Sequence, residues 1–64
     1  MNVKLARIKA GLTQKKLAAL VGISHVTLSK IESGNYDSVT KATMIKIAKA
    51  LNSTVQELFF SEEE

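Results

Sequence analysis

The chain has 64 residues, no cysteine and a formal net charge of +3, which together predict one small domain and exclude disulfides and thiolate metal sites. No apolar run approaches the roughly 18 residues of a membrane span, and the N-terminus lacks the apolar core of a signal peptide, so we expect a soluble cytoplasmic protein. Nine basic and two acidic residues give positions 1–56 a charge of +7, whereas four glutamates give positions 57–64 a charge of −4, so the body should attract phosphate-rich polyanions.

A first helix is predicted from about Val3 to Ala10, ending at Gly11. Leu5 and Ile8 lie three residues apart on one helical face, and we expect both to be buried. This helix would pack against those that follow.

Two short helices are predicted within residues 13–32, separated by a tight turn at Gly22. Thr13 and Ser24 are suitable N-caps for the two helices, and glycine can leave a helix with positive φ at little steric cost. The residues expected to face inward are Leu17, Val21, Leu28 and Ile31. Ala18 is small enough to permit a close, steep crossing of the two helices, and this arrangement is typical of DNA-reading units.

Residues 33–38 are predicted to form a loop, followed by a fourth helix from about Thr40 to Leu51. An apolar stripe on that helix comprises Met44, Ile47, Ala48 and Leu51. Asn52 follows this helix directly, at the position where a residue with a left-handed backbone conformation commonly ends a helix.

A short fifth helix is predicted from about Val55 to Phe60. Ser53 or Thr54 could start it, because each is followed three residues later by Gln56 or Glu57, the spacing of a capping box. We expect residues 1–60 to form one domain and residues 61–64 to be an acidic tail that frays and weakens indiscriminate binding to polyanions.

The sequence resembles the phage repressor and Cro type of helix-turn-helix regulators, often called Xre-like. The matching residues are Arg7, Gly11-Leu12-Thr13-Gln14, Leu17-Ala18, Val21-Gly22-Ile23-Ser24, Ile31-Glu32-Ser33-Gly34 and Ile47-Ala48-Lys49-Ala50-Leu51. The resemblance covers almost the whole chain and implies an all-α, five-helix, lambda-repressor-like domain with its helix-turn-helix at the second and third helices. The chain departs from many relatives in having Lys15 and Lys16 in the first turn of the second helix, and in lacking a proline before the fourth.

The third helix is the expected DNA-reading element, because the family inserts its N-terminal part into the major groove. The positions that align with base-reading residues are Ser24, His25, Val26, Ser29 and Lys30. Lys30 could donate to guanine and His25 to a purine edge, while Val26 could pack on a thymine methyl group. Alternatively, Val26 folds back on the turn.

The DNA backbone is expected to lie along the start of the second helix, where free amides attract phosphate. Gln14 is implied to contact a phosphate and to support the recognition helix. Lys15 and Lys16 oppose the helix dipole at roughly 0.3–1 kcal/mol each, which a bound phosphate would reverse, although they could simply extend into water. The predicted phosphate contacts are Thr13, Gln14, Lys15, Lys16, Thr27, Asn35, Tyr36 and Lys41, with Ser38 and Thr40 nearby.

The resemblance also singles out Arg7 and Glu32 as an internal ion pair that joins the first helix to the end of the third. Family members usually bind as two-fold dimers, and a chain this small has reason to oligomerise. Adjacent phenylalanines cannot share one core stripe, so one should be exposed and could anchor a dimer or pack against the first helix. The interface candidates are Val55, Gln56, Phe59 and Phe60.

Catalytic and metal functions have little support in the sequence. His25 has no cysteine and no second histidine with which to complete a metal site, and its adjacency to Ser24 is no catalytic arrangement. We expect no cofactor and no small-molecule ligand, and the chain is not expected to be an enzyme.

The sequence therefore predicts a sequence-specific regulator of double-stranded DNA, most simply a dimeric repressor that occupies an inverted-repeat operator. Such a protein would be encoded by a bacterium, phage or plasmid and held at the nucleoid through DNA. The alternatives are an antitoxin or restriction-modification controller of the same fold, and a protein-interaction module that no longer binds DNA.

Overall fold

The computed structural model describes residues 2–37 and 39–60. This part of the chain contains five α-helices and no β-strand: α1 Val3–Lys9, α2 Gln14–Val21, α3 His25–Glu32, α4 Lys41–Ala50 and α5 Val55–Phe59. The helix order and number agree with the all-α fold expected from the sequence. Ser38 and the acidic tail at 61–64 lie outside the described residues.

Each helix begins at a polar N-cap whose side-chain oxygen accepts a hydrogen bond from the backbone amide three residues later. The caps are Asn2, Thr13, Ser24, Thr40 and Thr54. Such a bond satisfies one of the first-turn amides that has no partner inside the helix, and it stabilises a helix by about 1 kcal/mol. At α5 the cap is Thr54, and Ser53 instead donates to the Glu57 carboxylate at 2.9 Å.

The core lies between α2, α3 and α4, with α1 and α5 closing one side. Leu17, Leu28 and Ile47, one from each of the three central helices, have no exposed surface. Full burial of an aliphatic side chain stabilises the folded state by about 1.5–3 kcal/mol. Ala18 is also buried, and α2 packs directly against both α3 and α4.

The prediction that Leu5 and Ile8 are buried is wrong, because both side chains are more than half exposed. The buried residues of α1 are Val3 and Ala6, on a different face of the same helix. This rotation of α1 directs Arg7 toward α3 and places a small alanine where α1 approaches its neighbours.

The connection between α4 and α5 depends on Asn52, which has a φ of 55° as predicted. The amide of Ser53 donates to the Ala48 carbonyl at 2.8 Å, a bond that ends α4 and reverses the chain. As a result, α5 packs against both α4 and α1. Among the described helices, we find none with the length and apolar character needed to cross a membrane.

Candidate nucleic-acid interface

The turn between α2 and α3 is held by backbone hydrogen bonds. The amides of Gly22 and Ile23 both donate to the Ala18 carbonyl, at 2.8 and 3.0 Å. Gly22 adopts a φ of +87°, a conformation that side-chain-bearing residues rarely tolerate. Ser24 then starts α3 at once, so the two helices are joined through only three residues, and their relative orientation is closely constrained.

One face of α3 packs in the core and the opposite face is exposed. Leu28 and Ile31 form the buried side. The exposed positions are His25, Val26, Ser29 and Lys30. Val26 has 55% of its surface exposed, so its side chain does not fold back on the turn. An apolar group thus projects from a predominantly polar face.

Two hydroxyl groups at the start of α3 are already paired with each other. The Ser24 hydroxyl accepts from the Thr27 amide at 3.1 Å and donates to Thr27 Oγ1 at 2.9 Å. Ser24 therefore has less hydrogen-bonding capacity for a base than its exposure suggests. Thr27 keeps its own hydroxyl proton, which is available to an acceptor such as a phosphate.

The first turn of α2 offers unpaired amides beside two lysines. Thr13 Oγ1 accepts from the Lys16 amide at 3.0 Å. The amides of Gln14 and Lys15 have no acceptor among residues 2–37 and 39–60. Lys15 and Lys16 are both exposed, and no acidic residue occurs in this turn. The helix dipole and the lysines therefore both favour an anion at this end of α2.

A single carboxylate joins the first three helices. Glu32, at the end of α3, accepts from Arg7 Nε at 2.6 Å and from Arg7 Nη2 at 3.3 Å. The Gln14 side-chain amide donates to the same group at 3.1 Å, so the start of α2 is tied to the end of α3. The ion pair is present as the resemblance implies, with side chains only 12% and 4% exposed.

The same arginine makes a contact that the sequence did not predict. Arg7 Nη1 donates to the backbone carbonyl of Leu12 at 2.8 Å. The acceptor is a backbone carbonyl, which every residue has, so the amino acid at position 12 could not have predicted this bond. This bond holds the segment between α1 and α2 against the ion pair.

Three of the predicted phosphate contacts lie in the loop before α4 or in its first turn, and they differ in exposure. Asn35 is exposed, and its side-chain oxygen accepts from the Asp37 amide at 3.1 Å, which leaves the side-chain NH₂ group available. Tyr36 is half-buried, its ring edge-on to Phe59 with centroids 5.3 Å apart. Lys41 is exposed in the first turn of α4.

The dimer candidates on α5 divide into buried and exposed residues. Phe59 is buried in the core of this chain, so we withdraw it from the candidate interface. Phe60 is 53% exposed and Gln56 is also exposed, whereas Val55 is half-buried against the core. The exposed member of the phenylalanine pair is therefore Phe60.

A comparison of the sequence with models of known protein families agrees with the observed fold. A family model described as helix-turn-helix matches residues 3–58 of this chain. The chain belongs to the helix-turn-helix family. Its relatives are named HTH-type transcriptional regulators, so the family is one of DNA-binding regulators and not of enzymes.

Several relatives align with this helix-turn-helix protein over nearly its whole length. It is 38% identical to the uncharacterized HTH-type transcriptional regulator YgzD of Bacillus subtilis, covering 98% of this chain and 94% of the relative. An uncharacterized HTH-type transcriptional regulator of Methanocaldococcus jannaschii is 36% identical over 98% of this chain and 94% of its own length. Another from Archaeoglobus fulgidus is 34% identical, covering 98% and 87% of the two chains.

Proposed function

We propose that this regulator binds double-stranded DNA sequence-specifically by placing α3 in the major groove. The observation that carries the proposal is the exposed face of α3, where Val26 projects among polar side chains at the beginning of a helix held by a tight turn. An exposed valine gains from contact with a thymine methyl group, and neighbouring polar groups can read base edges. The proposed reading residues are Ser24, His25, Val26, Ser29 and Lys30.

The backbone of the duplex would lie across the N-terminal ends of the helices that flank this face. None of the first turns of α2, α3 and α4 contains an acidic residue, which favours phosphate binding there. The proposed phosphate contacts are Thr13, Gln14, Lys15, Lys16, Thr27, Asn35, Tyr36 and Lys41. These contacts position the protein, whereas the α3 side chains specify the sequence.

We further propose that two copies bind an inverted repeat and repress transcription by occupying a promoter. Phe60 is the proposed anchor between the copies, because more than half of this aromatic side chain is exposed. Gln56 and the half-buried Val55 would lie at the border of the contact. Half-site centres should be about 10 base pairs apart if both recognition helices enter one side of the duplex.

Sequence-specific binding can be tested by selecting sites from a random duplex pool at moderate salt. We expect an inverted repeat from the wild-type protein. Val26→Ala should reduce discrimination at one base position by about 1 kcal/mol, because it removes two methyl groups that contribute roughly 0.8 kcal/mol each when fully buried. Leu20→Ala is the matched control, because Leu20 is similarly exposed on α2 but is no proposed reader. Equal preferences in both variants would remove Val26 from the reading set.

Salt dependence distinguishes DNA binding from a protein-interaction module. The affinity for the selected duplex should fall steeply between 50 and 200 mM salt, with a slope near −0.9 in log K for each neutralised phosphate. Failure of the folded protein to enrich any duplex would contradict the proposal and favour a protein partner held by apolar surface.

The dimer and the mode of regulation need separate measurements. Sedimentation equilibrium should show a weaker dimer for Phe60→Ala than for the wild type, with Leu20→Ala again the control. Transcription in vitro from a promoter that overlaps the selected site should decrease as the protein is added. An increase in transcription would instead indicate an activator.

A further inference from the structure

An open cleft of about 200 Å³ lies where α1, α2 and α3 meet. Its lining residues are Lys4, Gln14, Ser29, Glu32 and Ser33. This volume is below the roughly 300 Å³ at which pockets for drug-sized ligands begin, so the cleft suits a small group better than an organic effector. Lys4 belongs to no part of the interface proposed above.

The two charged side chains that line this cleft, Glu32 and Lys4, differ in how they are paired. Glu32 is 4% exposed, and its carboxylate is compensated by Arg7 and also accepts from the Gln14 side chain. Lys4 lies one helical turn before Arg7 on the same side of α1 and is exposed. It forms no ion pair with any residue in the described part of the chain. A positive charge that has no ion-pair partner among residues 2–37 and 39–60 therefore borders the cleft.

The cleft is continuous with the surface proposed to face DNA. Ser29 belongs both to the cleft lining and to the exposed face of α3. Gln14 lines the cleft and begins α2, where the first amides have no acceptor within the described residues. The Ser33 hydroxyl donates to the Lys30 carbonyl at 2.8 Å, so Lys4, Ser29 and the second N–H of the Gln14 side chain remain to serve an incoming acceptor.

We propose that Lys4 binds a backbone phosphate of the duplex at the mouth of this cleft, extending the DNA contact surface from α2 and α3 onto α1. The proposal rests on the proposed DNA-binding function. A duplex contacted by the exposed face of α3 would pass the cleft at Ser29. A phosphate there would meet Lys4, whose charge is not paired with Glu32. Lys4 acts as a point charge, so it contributes affinity without base specificity.

The test compares Lys4→Gln with Lys46→Gln, an equally conservative loss of charge at an exposed position on α4 outside the interface. Binding of each variant to the selected duplex and to a scrambled duplex is measured by fluorescence anisotropy from 50 to 300 mM salt. We expect Lys4→Gln to flatten the salt slope by about 0.9 and to lose about eightfold in affinity near 0.1 M salt, equally on both duplexes. Lys46→Gln should match the wild type, and circular dichroism should show all three proteins folded.

The phosphate itself can be located by replacing individual phosphates with uncharged methylphosphonates. One replacement should weaken wild-type binding but leave Lys4→Gln unaffected, because both changes remove the same contact.

The outcomes separate this inference from the proposed function. Steep salt dependence in the wild type with identical behaviour of the two lysine variants would overturn the Lys4 contact while leaving the proposed function intact. A changed base preference in Lys4→Gln with an unchanged slope would also overturn it. A folded wild-type protein that binds no duplex would remove both proposals.

Discussion

The contribution of the Arg7–Glu32 pair to stability can be measured with Arg7→Met, Glu32→Gln and the double variant. Arg7→Met keeps most of the aliphatic stem and removes the guanidinium, whereas Glu32→Gln keeps the shape and removes the charge. Each single change leaves the other charge in a site that is 12% or 4% exposed. The double variant has neither charge, so no charge is left in the site without a partner.

The expected coupling free energy between Arg7 and Glu32 follows from the geometry and burial of the pair. Two hydrogen bonds join the charged groups, at 2.6 and 3.3 Å. Hydrogen bonds to charged groups contribute about 1.5–3 kcal/mol, whereas an exposed ion pair contributes about 0–1 kcal/mol. Because both side chains are shielded from water, we expect a coupling free energy of about 1.5–3 kcal/mol. Arg7→Met should be the more harmful single change, since it also removes the bond to the Leu12 carbonyl.

Urea unfolding followed by circular dichroism gives the free energy of unfolding of all four proteins, and the cycle gives the coupling. The m-values should agree, which would show that the variants unfold from similar compact states. A coupling below about 0.5 kcal/mol, or one abolished by 1 M salt, would refute the argument that burial strengthens this pair.

Three further changes follow from the same structure. Ala18→Leu should destabilise the fold by about 1–3 kcal/mol in thermal or urea unfolding, because Ala18 is buried and a larger side chain would overpack the core, whereas the exposed Ala19→Leu should change stability by less than about 0.5 kcal/mol. Gly22→Ala should cost about 1–2 kcal/mol through its positive φ alone, since apart from the neighbouring residues no described atom lies within 4 Å of the added Cβ, and an unchanged unfolding midpoint would contradict this. Lys15→Glu and Lys16→Glu should each raise the unfolding free energy by about 0.6–2 kcal/mol, since each removes an unfavourable cation and adds a favourable anion, and yet weaken DNA binding, whereas a gain in both would refute the phosphate assignment.

The helix-turn-helix itself could be predicted from the sequence because its signals are local. Thr13 and Ser24 accept from amides three residues away, and Gly22 meets its conformational requirement within the turn. The inward residues Leu28 and Ile31 follow from helical spacing on a short amphipathic element. Each of these inferences needed no knowledge of distant parts of the chain.

The orientation of α1 could not be predicted in this way. Val3 with Ala6 and Leu5 with Ile8 have the same three-residue spacing, and the larger pair is the more hydrophobic. The choice between the faces depends on where α3 and α5 lie, since α1 packs against both and Arg7 must reach Glu32, 25 positions along the chain. Periodicity alone carries no information about that distant constraint.

The candidate site shows the same division between local and distant information. The exposure of His25, Val26, Ser29 and Lys30 follows from the burial of the opposite face of α3. The cleft beside Lys4 requires three helices to meet, which no local pattern reveals. Likewise, the sequence indicated that one of two adjacent phenylalanines is exposed, but only the packing of Phe59 against Tyr36 identifies which one.

The exposed face of α3 has a consequence for how this protein can diversify. Leu28 and Ile31 are the residues through which α3 joins the core, while the side chains on the opposite face can be exchanged with effects on stability of within about 0.5 kcal/mol. If α3 reads DNA as proposed, folding and target choice are separable traits in this chain. A lineage built on this scaffold can acquire new targets by a few substitutions on one helical face while its architecture is inherited unchanged.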